Sequence, residues 1–174
     1  MSNNKSKIFP FIIVIIILLI VIYLFANIEQ SVVNCKKRTT NDLGIVVSES
    51  LETSLDGRKI SSLNLTKTIV LPEKYLNDDK YLDYIEYTIK KSYAYLGSNK
   101  VKVSKLSDRI IVNVLVNKNE TIILNNIDFD STDGLTIKIN SNTKSSDVVT
   151  LKVSDSYSQG ELITYMKNNG YSCG

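Results

Sequence analysis

Polar and apolar residues alternate from about residue 45 to residue 71. Ile45 to Thr53 has the period of a strand, Asp56-Gly57 is a hairpin dipeptide, and from Ile60 onward Leu63, Leu65, Ile69 and Leu71 share one face while Asn64, Thr66 and Thr68 share the other. Pro72 has no N–H to offer a ladder and stops the second strand. The period then lengthens. Leu82, Ile85, Ile89, Tyr93 and Leu96 recur at helical spacing, Asn77 or Asp78 can cap the helix, and Gly97 stands where a helix ends. Strand periodicity returns at Val101 and Val103, at Ile110 to Val116 after a Ser107-Asp108 turn, and at Thr121 to Phe129. Two further strands are predicted at Leu135 to Ile139 and Val148 to Val153. Ser158 and Glu161 have the spacing of a capping box, which opens a short helix carrying Leu162, Ile163 and Met166 and closing at Gly170. Short connections and one-faced alternation predict a mainly antiparallel α+β fold, in the order β-β-α-β-β-β-β-β-α, with two helices covering the sheet.

A second kind of pattern precedes it. Residues 8–26, IFPFIIVIIILLIVIYLFA, contain no charge, and sixteen of the nineteen are Ile, Leu, Val or Phe. At roughly −0.3 to −0.6 kcal/mol each, they favour insertion into a bilayer by about 5–10 kcal/mol, and a helical span needs roughly 20 residues. The expectation is a transmembrane signal anchor at 8–26, behind a short cytoplasmic tail at 1–7. A polar tether at 27–43 would lead to an extracytoplasmic α+β domain at 44–174. Leu24-Phe25-Ala26 is a poor cleavage site, which favours a retained anchor over a removed signal peptide. Orientation is open on charge, because Lys5 and Lys7 compete with Lys36, Lys37 and Arg38. The outward placement rests on the first-helix tendency and on the cysteines.

Cys35 and Cys173 are the two cysteines, too few for a four-thiolate zinc site and wrongly spaced for a redox CxxC pair. A disulfide between them suits an oxidising compartment; two unpaired thiols, or a lipidated Cys35, are the alternatives. Histidine is absent, which excludes His-based catalytic triads and His-ligated metal sites. No P-loop, GxGxxG or GxSxG segment occurs, so neither an enzyme nor a cofactor is predicted. The 21 basic and 18 acidic residues are mixed along the chain, and nucleic acid is not an expected partner. Asp128, Asp130 and Asp133 ahead of Gly134 resemble a Ca²⁺ loop, but Ile139 stands where the bidentate Glu belongs, and an Asp-rich surface turn is the competing reading. Tyr75, Tyr81, Tyr84, Tyr87, Tyr93 and Tyr95 crowd the central helix, either as an aromatic platform for sugars or as amphipathic rings packed on the sheet.

The segments LETSLDGRKISSLNLTKTIVL, NKNETIILNNIDFD and ELITYMKNNGY, with the helix between the first two, resemble the YehR-like family of small bacterial extracytoplasmic lipoproteins over about residues 46–171. That resemblance implies a small α+β domain at the outer face of a bacterial membrane, with no established activity and no catalytic residues to carry over. The chain departs from the family in having an apolar segment where the family has a lipid, and in having Cys173. The functional expectation is a non-enzymatic surface binding or accessory module, held to the lipid bilayer through residues 8–26 and meeting an unknown envelope protein or cell-wall ligand. A component of an envelope complex and a Ca²⁺- or ligand-binding sensor are the alternatives.

Overall fold

The computed structural model describes residues 14–20, 30–76, 78–117, 119–124, 127–131, 135–139 and 148–174. The chain divides into two units, Met1–Gln30 and Ser31–Gly174, and the sheets belong to the second.

The apolar run is where expectation and structure part. Its described portion, residues 14–20, is helical. Among the described residues no helix is long and apolar enough to cross a membrane. The transmembrane element of the expected architecture, and with it the single-pass membrane location, is therefore corrected. The rest of 8–26, the expected tail at 1–7 and residues 27–29 lie outside the described residues.

The alternating segments do form a mainly antiparallel sheet. Strands β1 (Gln30–Thr40), β2 (Val46–Asp56), β3 (Lys59–Val70), β4 (Val101–Lys105), β5 (Arg109–Asn117) and β10 (Ser172–Cys173) line up in the order β10-β1-β2-β3-β5-β4. Two smaller antiparallel pairs join β6 (Thr121–Leu124) to β9 (Val149–Lys152) and β7 (Ile127–Asp130) to β8 (Thr136–Ile139). Gly57, at φ 59°, sits in the β2–β3 hairpin turn, a conformation that a side chain resists. β3 and β4 each run antiparallel to β5 and hence parallel to each other. The helix α1 (Asp79–Ser92) makes the crossover between them, and β5 fills the gap.

Three differences from the expected order follow. The segment predicted as a tether contains β1, in which Val33 and Cys35 point inward while three consecutive cations mask the period. The single strand expected over Thr121 to Phe129 is two, and β6 and β7 belong to different pairs. The last strand, β10, has only two residues and shows no periodicity.

One core joins these elements. Leu51, Leu65, Ile69, Val112 and Val114 from the sheet meet Leu82, Ile85 and Ile89 of α1, and Leu162 and Met166 of α2 (Gln159–Asn168). Asp78 caps α1 by accepting from the Lys80 N–H; Asn77 lies outside the described residues. The capping box of α2 is complete, with Ser158 Oγ accepting from the Glu161 N–H and Glu161 Oε2 from the Ser158 N–H. At its other end Gly170, at φ 83°, lets the Tyr171 N–H reach the Met166 carbonyl at 3.1 Å while its own N–H reaches Lys167. That turn sends Tyr171 back into the core, where it is 5% exposed. Cys35 and Cys173 are cross-strand partners and form a disulfide.

Candidate functional site

The inner face of the sheet is apolar with one conspicuous exception. On β2 the inward positions are Val47, Glu49, Leu51, Thr53 and Leu55, and on β3 they include Leu63, Leu65, Lys67 and Ile69. Glu49 and Lys67 are directly opposite in register. The Lys67 Nζ lies 2.6 Å from Glu49 Oε1, with the Lys67 side chain wholly buried. Tyr171 donates its hydroxyl to the other carboxylate oxygen, Glu49 Oε2. The buried Tyr93, at the C-terminal cap of α1, also interacts with the same ammonium.

Charge in such a place is tolerated only when paired, because desolvating a lone ion costs several kcal/mol. Burial pulls the Lys67 pKa down, but Tyr93 and Glu49 outweigh it, and the ammonium is held above its ordinary 10.5. Burial pushes the Tyr171 phenol far up, and the neighbouring Glu49 adds to the effect. Burial likewise raises Tyr93, with Lys67 opposing. At neutral pH the Lys67 ammonium and the two phenols therefore keep their protons.

Glu49 is also reached from outside. A cleft of about 270 Å³ opens between the ends of β1 and β2 and the strand β7. Glu49 is among its lining residues, Ile45, Val47, Ile127 and Phe129 give it apolar walls, and Lys37, Thr39, Asn41 and Asp128 supply polar ones. Asn41 is oriented by two backbone donors, since its Oδ1 accepts from Leu43 at 3.1 Å and Ile45 at 2.9 Å. Its Nδ2 is thereby fixed as a buried donor with no partner among the described residues. Lys37 Nζ lies 5.4 Å from the centre of the Tyr171 ring and donates to the Asn169 carbonyl at 3.3 Å.

No protein-family model, curated protein or solved structure matches the chain. The site therefore stands on its own geometry.

The residues singled out in the sequence fare unequally. Asp128 reaches the cleft wall, opposite Lys138 in register, and Asp130 places Oδ2 3.5 Å from Lys138 Nζ. Asp133 lies outside the described residues. Among those described, no group of three His, Cys, Asp or Glu side chains could hold a metal ion. The tyrosines do not share one surface. Tyr93 is core, Tyr75 and Tyr81 meet edge-on at 5.8 Å, Tyr87 is exposed, and the Tyr95 hydroxyl accepts from the Ile123 N–H. Glu49 and Lys67 were not foreseen, although a signal existed: a charge at an inward strand position, between Val47 and Leu51 or between Leu65 and Ile69, is a buried-pair signature.

Proposed function

We propose that the protein is a non-catalytic binding module whose ligand enters the cleft bounded by β1, β2 and β7. The observation that carries this reading is a small concavity in which the apolar Ile45, Val47, Ile127 and Phe129 stand beside the polar Lys37, Thr39, Asn41 and Asp128, a combination typical of ligand pockets. Binding rather than catalysis is supported by the state of the titratable groups. Glu49 is engaged by Lys67 and Tyr171 together, and the raised pKa values keep Lys67, Tyr93 and Tyr171 protonated instead of poising a base near neutrality.

A fragment screen against the full chain, read by amide chemical shifts, tests the reading. Small amides and alcohols should move Asn41, Val47 and Phe129 together, and Thr39→Trp, which fills the mouth from an exposed position, should abolish the response. Hits confined to the hollow beside Tyr93, lined by Lys90, Ala94 and Val101, would overturn it.

A further inference from the structure

Strand β1 is eleven residues long, but its outer neighbour β10 covers only a short part of it, with Cys35 opposite Cys173 and Lys36 opposite Ser172. Asn34 exchanges both backbone hydrogen bonds with Gly174 on that side. In an antiparallel ladder alternate residues point their N–H and C=O groups to the same neighbour, so Arg38 and Thr40 present theirs to the β10 side as well. The chain that carries β10 turns away at Gly170, beside Lys37. Arg38, Thr39 and Thr40 are exposed, and no strand covers them on that side among the described residues. Lys36 and Arg38 project from the opposite face to the buried Cys35, and among the described residues neither forms an ion pair. Thr39 and Lys37 line the cleft.

We propose that this open edge of β1 takes an extended segment of a partner protein as an added strand, one in which acidic and apolar residues alternate. The proposal rests on the cleft reading above and names its ligand class. The edge already accepts one added strand, β10, which shows that its geometry suits pairing. On an added strand, one set of side chains would lie beside Arg38 and Lys36, where carboxylates complement two unpaired cations. The alternate set would lie beside Thr39 and enter the cleft between Val47 and Phe129, where apolar groups fit. Backbone pairing supplies affinity in this mode of recognition, and the alternating side chains supply specificity. A second copy of the chain is disfavoured at this edge, because β1 against β1 would bring Lys36, Lys37 and Arg38 onto their own counterparts.

The test titrates the full chain with an extended glutamate–valine alternating peptide, with its backbone N-methylated counterpart, and with phosphatidylserine vesicles. The peptide should shift Arg38, Thr40, Val47 and Phe129 amides and slow hydrogen exchange at Arg38 and Thr40. N-methylation should abolish this, and the double change K36E/R38E should weaken binding about tenfold, the factor that 1.4 kcal/mol represents. Equal binding of the N-methylated peptide, binding of vesicles without binding of peptide, or self-association through β1 would each overturn the added strand. Shifts at Arg38 and Thr40 with none at Val47 and Phe129 would support the edge and refute the cleft. Fragment binding in the cleft with no response to the peptide would do the reverse.

Discussion

The two faces of the central sheet are built from the same strands and treat polarity in opposite ways. On the outer face Ser48 stands opposite Thr68, Ser50 opposite Thr66, and Thr66 opposite Asn113, a neutral and half-exposed array in which Thr66 Oγ1 lies 3.0 Å from Asn113 Oδ1. On the inner face the polar groups are fewer, and two of them are charged and buried. Outside, each hydroxyl has water as an alternative partner, so no single one matters greatly. Inside, Glu49, Lys67 and Tyr171 have only one another and their immediate surroundings, and each must be present for the others to be tolerated.

The largest effect should come from the inner-face link between β1 and β10. The double change C35S/C173S opens a loop of 138 residues and should cost about 5 kcal/mol on the chain-entropy account, read by urea denaturation. Next, Lys67→Met leaves the Glu49 carboxylate buried without its cation and should cost about 3–5 kcal/mol, whereas the paired change E49L/K67M should restore most of that loss. A double variant as unstable as the single one would show that Tyr171 depends on Glu49 for its placement. The contrast between faces would then be larger than a charge pair alone requires.

Alkaline pH should separate the faces further. Tyr93, Tyr171 and Lys67 are all raised when folded, from ordinary values of 10.0, 10.0 and 10.5. The unfolded chain therefore releases these protons first, and their contribution is complete below those values and lost as pH rises above them. Melting temperature should hold up to about pH 9.5 and fall beyond pH 10, and Tyr171→Phe should flatten the fall. The smallest effect belongs to the outer face, where Thr66→Val should change stability by no more than about 1 kcal/mol. A larger loss there would break the comparison.

Legibility in the sequence followed the same division. The paired strands β2 and β3 were plain because inward and outward positions alternate along most of both, on either side of Asp56-Gly57. Both helices were announced by their ends, Asp78 for one, and Ser158, Glu161 and Gly170 for the other. β1 was hidden by Lys36-Lys37-Arg38, which count as linker composition until the cross-strand partner of Cys35 is known. β10 is too short to have a period at all. The charged cluster escaped because a search for apolar periodicity passes over Lys67 as a gap when it is a member of the face. The cleft could not be read either, since it depends on β7 approaching β1 and β2 across nearly ninety residues of chain, as the separation of Asn41 from Asp128 shows.

The pairing of β10 with β1 also bears on how the molecule reaches its fold. Lys36 and Ser172 are far apart in the chain, and a contact of that span pays its loop-closure entropy before it returns any stability. The β2–β3 hairpin and the two helices can form early from neighbours in sequence. The outer margin of β1 is therefore the pairing in this sheet that costs most chain entropy to close. Tyr171 rides on the same segment, so closing that span also brings the Glu49 carboxylate its phenol partner.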